Sequence, residues 1–269
     1  MKKIKLVSCF IIAIVMIVIS LPVNVYANGD YQRVLPSQEI HLDNFLRSIE
    51  FPENVISEMT FGQKLTIYQE LHDVTNLEFE SYTARYVPLS VDGVIPRIPS
   101  NELSFRVTSV AKSVLVNGNF ERQYVIFPSF VWNTNTDIKN DRFSFTLDSN
   151  QWRALPGHQQ LRLWGFGSFN IYDSQLIDRP HGTTFAGDYY NFDFRFNDPW
   201  GGFFRYEGHA SFTAVQRVDN PRFDIILAYA QDNTPLTNAS ISLSMSPFSV
   251  SFSSNNSRVR TTSQRITWR

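Results

Sequence analysis

Cysteine is nearly absent from this sequence: Cys9 is the only one in 269 residues. A chain with one thiol can form neither an internal disulfide nor a multi-thiolate metal site, so its stability has to come from buried apolar surface. One-sided charge is missing as well. Lys and Arg number 24 against 25 Asp and Glu, which excludes a polybasic nucleic-acid binder and an acidic disordered tail, since each needs a strong excess of one sign. Local ligand motifs are equally scarce. His41, His72, His158, His181 and His209 lie too far apart for a helical or hairpin histidine site, so no metal is expected, and His41 and His72 read as surface or capping residues. The run Asn133, Thr134, Asn135, Thr136, Asp137 imitates a calcium loop, but Ile138 stands where the sharp turn needs glycine and Ser144 where the bidentate glutamate belongs. Gly165 and Gly167 lack the third glycine of a dinucleotide site, and Ser168 lacks the flanking pattern of a nucleophile elbow. No cofactor is expected.

The one long apolar run lies at the start. Lys2, Lys3 and Lys5 precede a hydrophobic stretch over 6–21, Pro22 breaks it, and Ala27 supplies a small residue at a cleavage edge. This is the pattern of a secretory signal peptide over 1–27, and the run is short for a spanning helix. Cleavage there would remove Cys9 and leave a net acidic chain. A secreted, extracellular protein with no stable transmembrane anchor is the expectation.

Apolar spacing then divides the rest into a helical segment, 28–76, and a β region, 77–269. Ile40, Leu42, Phe45, Leu46 and Ile49 share a helical face, with Ser37 as its cap. Pro52 suits the first turn of a short helix holding Val55, Ile56 and Met59. Thr60 and Gln63 form a capping box for a third helix with Phe61, Leu65, Tyr68 and Leu71 on one face. After Asn76 the period becomes two. Strands are expected over 77–87, 103–116, 120–132, 142–147, 160–172, 184–196, 203–218, 223–230, 240–253 and 259–268, with a proline-bearing linker over 88–100. Many short strands, 14% aromatic residues and 23 phenylalanines predict a mostly β fold, an antiparallel β-sandwich with a short N-terminal helical segment.

With a leader, a helical segment carrying Ile67, Tyr68 and Leu71, and a β-rich remainder, the chain resembles in layout the uncharacterised secreted proteins of Bacillus-type Gram-positive bacteria. The resemblance covers most of the chain, rests on no diagnostic motif and implies no activity.

Two stretches carry the candidate chemistry. In 185–212, alternation puts Tyr190, Phe192, Phe194 and Phe196 on one face, and the returning strand puts Arg205, Glu207, His209 and Ser211 outward. Like-charge avoidance favours pairing Tyr190 with Gly208 and Phe194 with Phe204, setting Asp193 opposite Arg205. A solvated charged face accounts for these residues, and on that reading Glu207→Gln is silent. The alternative is an acid–base group of Asp193, Glu207 and His209, as an exported glycan hydrolase would use. In the second stretch, 240–253, serine alternates with apolar residues as in membrane-inserting hairpins, with a break expected at Ser246 and Pro247 because the apolar parity changes there. The leading functional expectation is a secreted non-enzymatic protein that binds an envelope component, a glycan or another protein; the hydrolase and a membrane-active hairpin protein are the alternatives.

Overall fold

A computed structural model describes residues 32–86, 98, 102–134, 138–167, 170–184, 187–194, 205–232, 241–246, 249–254 and 259–269. The expected leader, nearly all of the 88–100 linker, residues 135–137 of the calcium-like run, Ser168 and Pro247 lie outside the described residues.

In chain order the elements are β1 (Gln32–Arg33), α1 (Pro36–Ser48), α2 (Glu53–Glu58), α3 (Phe61–Leu71), β2 (Leu77–Tyr86), β3 (Leu103–Val116), β4 (Asn119–Trp132), β5 (Ile138–Leu147), β6 (Trp152–Phe166), β7 (Ile171–Ile177), β8 (Gly182–Thr184), β9 (Gly187–Phe194), β10 (Arg205–Gln216), β11 (Asp224–Asp232), β12 (Ile241–Ser246), β13 (Ser249–Ser254) and β14 (Val259–Thr267). Every strand pairing is antiparallel. One sheet has the order β1-β7-β6-β10-β4-β3-β2, the second β14-β11-β5-β9-β8, and β12 and β13 form a separate hairpin.

The two sheets meet through aromatic side chains, which explains the phenylalanine content. Phe130 of the first sheet lies 5.1 Å from Phe143, 4.7 Å from Tyr229 and 5.7 Å from Phe192 of the second, ring centre to ring centre. Phe212 stacks on Phe145 at 4.8 Å. At one end of the sandwich, Trp152, Trp268, Phe223 and Tyr124 close the interior as a cluster of tilted and edge-on rings.

The helices cover the outer face of the first sheet. Leu46, Ile49, Phe51, Ile56, Ile67 and Leu71 bury against Val110, Val125 and Phe127. The Thr60 capping box forms as expected: Thr60 Oγ1 accepts from the Gln63 amide at 3.2 Å, and Gln63 Oε1 accepts from the Thr60 amide at 3.1 Å. Two other caps shift. Leu35 rather than Ser37 occupies the cap position of α1, because Pro36 takes the first helical position and the Leu35 amide finds Gln38 Oε1 at 3.0 Å. Pro52 sits at the cap of α2, one residue before the turn expected for it. Ile40, placed on the apolar face by spacing, is exposed.

Three expected strands are each two. The stretch 160–172 belongs to β6, which starts earlier at Trp152, and to β7, with Asn170 at a positive φ of 58° in the turn. The stretch 184–196 holds the end of β8 and then β9. The third splits where expected: β12 ends at Ser246 and β13 begins at Ser249. The expected β9–β10 hairpin does not form. β9 pairs with β5 and β8 in one sheet, and β10 lies between β4 and β6 in the other. Cross-strand charge can rank two registers of a pair, but it says nothing about whether successive strands pair or part to opposite sheets.

Candidate functional site

Glu207 and His209 lie two residues apart on β10 and therefore on one face. Alternation with Phe212, which faces the sandwich interior, turns them outward, but outward here means under α3 rather than into water. Glu207 is 0% and His209 2% exposed, which overturns the solvated-face expectation. His209 Nε2 lies 2.8 Å from Glu207 Oε2. The Thr60 hydroxyl donates to the same oxygen, and an Arg205 guanidinium nitrogen lies 2.8 Å from Oε1. Above them, a Cβ built on Gly62 would come within 3.0 Å of Glu207 Oε2, 3.1 Å of the Trp164 ring and 3.2 Å of His209 Nε2. Glycine in the first turn of a helix normally costs stability, and here it permits the helix to sit directly on the polar pair.

Further polar contacts tie the helices to the same sheet. Arg106 of β3 donates to Gln63 Oε1 at 2.7 Å and to the Glu58 carbonyl at 3.2 Å. The Trp164 indole donates to Thr66 Oγ1 at 3.3 Å.

Burial works to raise the Glu207 pKa, but Arg205, His209 and Thr60 outweigh it and hold the carboxyl at about 2. Burial pushes His209 down against the pull of Glu207. At neutral pH the pair is therefore a carboxylate accepting from a neutral imidazole protonated at Nε2.

A general acid or base must reach a substrate proton. Glu207 already accepts from Thr60 and His209 and is ion-paired with Arg205, and the crevice beside His209, lined by Gln63, Thr66, Ile67, Thr108, Phe127 and Ser129, has no room for even a water molecule, against the roughly 300–1,000 Å³ of a small-molecule site. Asp193 does not join the pair. It belongs to β9 in the other sheet. The residues that do join, Thr60, Gly62 and Arg205, were not singled out from sequence as a group, although a glycine two residues after a capping threonine was a readable sign of close approach.

His41 and His72 both pack on Tyr68, at 5.1 and 5.0 Å between ring centres, on the cap surface. Among the described residues no three His, Cys, Asp or Glu side chains converge to hold a metal.

The second candidate is the β12–β13 hairpin. Its register sets Leu243 opposite Phe252 and Met245 opposite Val250, while Ser242, Ser244 and Ser246 face Ser253, Ser251 and Ser249. Opposed residues share a face, so one face carries Ile241, Leu243, Met245, Val250 and Phe252, with Ser254 opposite Ile241, and the other is made entirely of serine. The register accounts for the parity change read from the sequence, since it sets the even-numbered apolar residues of β13 on the face of the odd-numbered ones of β12. β13 lies over β5, β11 and β14. Beneath it the sheet presents small residues: Ser144, Ala228 and Ala230 are fully buried although their neighbours Phe143, Phe145 and Tyr229 are the ones that face the interior.

No family model matches the chain. No curated protein matches it. Among solved structures, Clostridium perfringens delta-toxin overlaps 73% of this chain and 95% of its own at 5% identity, with a TM-score of 0.29. The enzymatically active domain of Bacteriophage CBA120 tailspike protein 4 overlaps 54% of this chain and 19% of its own at 16% identity, with a TM-score of 0.18. Superpositions this loose carry no argument about fold or function.

Proposed function

We propose that this is an exported, non-catalytic protein whose target in the envelope is the lipid bilayer, and that the β12–β13 hairpin is its membrane-active element. The observation that carries the reading is the register of that hairpin, with apolar residues on one face and six serines on the other. A β-hairpin that enters a bilayer needs this division, one face for acyl chains and one for water or a neighbouring strand. Charge supports it: no Asp, Glu, Lys, Arg or His occurs between Asp232 and Arg258, and an ionised side chain is what a lipid-facing strand tolerates least.

The test is dye release from phosphatidylcholine vesicles. Wild-type protein should release the dye. Leu243→Asp and Val250→Asp, which place a charge on the apolar face, should abolish release, whereas Ser251→Asp on the polar face should retain most of it. Release that survives both apolar-face substitutions, or no release by the wild type, refutes the proposal.

A further inference from the structure

The β3–β4 hairpin outruns its neighbours. β2 stops pairing with β3 at Lys112, and β10 stops pairing with β4 at Gln123, yet β3 and β4 continue to pair with each other through Ser113–Arg122, Leu115–Phe120 and Val116–Asn119. The result is a two-stranded projection closed by Asn117 and Gly118, both at positive φ, 51° and 83°, a turn geometry that these two residue types accept with least strain. Directly opposed near its end are Leu115, 61% exposed, and Phe120, 78% exposed, with Val116 beside them. These side chains bury nothing in the sandwich, so folding does not explain them.

We infer that this tip is a peripheral anchor that enters the interfacial layer of a lipid bilayer. The partner is argued from size and charge. Three side chains of this kind cover only a few hundred Å², against the roughly 1,200–2,000 Å² of a stable protein interface. A fluid bilayer accepts an isolated apolar tip without a complementary partner surface. The tip also carries no ionisable residue between Lys112 and Glu121. Of the charges set back from it, Arg122 pairs with Glu78 and Glu80, at 3.2 and 2.7 Å, Glu121 accepts from Gln123, and Lys112 is partly buried. An apolar end with no excess of positive charge behind it suits a zwitterionic surface rather than electrostatic capture by anionic lipid.

The inference rests on the bilayer reading but concerns a different element and a different step, binding rather than release. The tip stands at the end of the sandwich where β11 begins, and the β12–β13 hairpin is attached where β11 finishes. Half of the chain between Asp232 and Val259, fully extended, spans about 43 Å against about 30 Å for β11, enough to run the full length of the sheet toward the tip.

Flotation with phosphatidylcholine vesicles tests it. Phe120→Ser and Leu115→Ser should each lower binding about tenfold with an unchanged thermal midpoint, since neither residue packs on the fold. Independently, a polarity-sensitive dye on Asn119→Cys, with Cys9 replaced by serine, should shift to the blue when vesicles are added. Binding and dye response that are indifferent to vesicles or to the substitutions overturn the anchor. Dye release from vesicles that survives Phe120→Ser with undiminished binding removes the anchor and leaves the β12–β13 proposal standing. Binding without release by the wild type does the reverse. A dimer in sedimentation that Phe120→Ser disperses would assign the tip to a second copy of the chain and overturn the lipid assignment.

Discussion

The sandwich is covered on both outer faces, and the two covers are built on opposite principles. Over the first sheet, the helices bring large side chains, among them Phe51, Ile56 and Leu71, into contact with Val125 and Phe127, and they add a buried charged cluster in which Thr60, His209 and Arg205 converge on Glu207. Over the second sheet, β13 lies on β5, β11 and β14, on the face that carries Ser144, Ala228 and Ala230. A buried charge whose partners come from both elements penalises separation, because lifting one element strands the groups on the other. The helical cover is thus held by buried charge as well as by packing, and on the membrane proposal the hairpin is the cover that leaves.

The comparison breaks most sharply at Glu207. Glu207→Ala leaves Arg205, His209 and Thr60 without their common acceptor, and the loss should be about 3–5 kcal/mol, read as a lower urea midpoint and faster proteolysis of 36–71. The silent Glu207→Gln expected from sequence is accordingly replaced: that substitution should also destabilise, though less, because the amide keeps one acceptor. A midpoint unchanged in both variants would mean that the cluster fixes nothing.

Gly62→Ala is next. The new methyl meets Glu207, Trp164 and His209 at about 3 Å, and overpacking of this kind typically costs about 1–3 kcal/mol. An alanine variant as stable as wild type would show that α3 can lift off the sheet without loss.

Acidity should separate the cap from the sandwich interior. His209 has its pKa lowered and Glu207 is held at about 2, so the stability they provide is complete above pH 6.5. It declines as His209 is forced to protonate below that, and declines again from pH 4.5 toward 2. Asp188 runs the other way. It is paired with Phe145 on the inward face of the second sheet, its oxygens lack hydrogen-bond partners, and burial raises its carboxyl to about 7. Its contribution is best below pH 3.8 and is lost as pH rises to about 7. Asp188→Asn should therefore exceed wild type in stability at pH 8, by on the order of 1–2 kcal/mol, and the gain should shrink at pH 5. His209→Gln should gain on wild type as pH falls from 7 to 5. Urea titrations at the three pH values decide both signs.

The smallest expected effect is the most pointed. Replacing 233–258 by an Asn-Gly turn should change stability by less than about 1 kcal/mol, because Asp232 and Val259 already face each other across the ladder and a two-residue turn of this type closes such a pair. A sandwich that unfolds without the segment would show that the hairpin is part of the core.

Much of this architecture was legible because burial imposes a period. β3 and β4 were read to within a residue of their observed limits, since uninterrupted alternation and the Asn117–Gly118 turn leave little freedom. The Thr60–Gln63 box was legible because a cap is a local contact. Partnership was not local, and it failed: β9 and β10 are successive, yet they belong to opposite sheets. The same gap hid the site. Alternation correctly put Glu207 and His209 on one face of β10, but whether that face meets water or a helix depends on residues some 147 positions away in sequence. The two faces of the β12–β13 hairpin could be read because both strands and their turn lie in one short segment.

The ladder between β11 and β14 has a consequence for how such a chain can change over generations. Because its two roots are hydrogen-bonded neighbours, the segment between them is a side branch, and no strand of either sheet is threaded through it. Insertions, deletions or wholesale exchange there alter no register elsewhere. The scaffold can be selected for durability while the branch is selected for its target, each at its own pace.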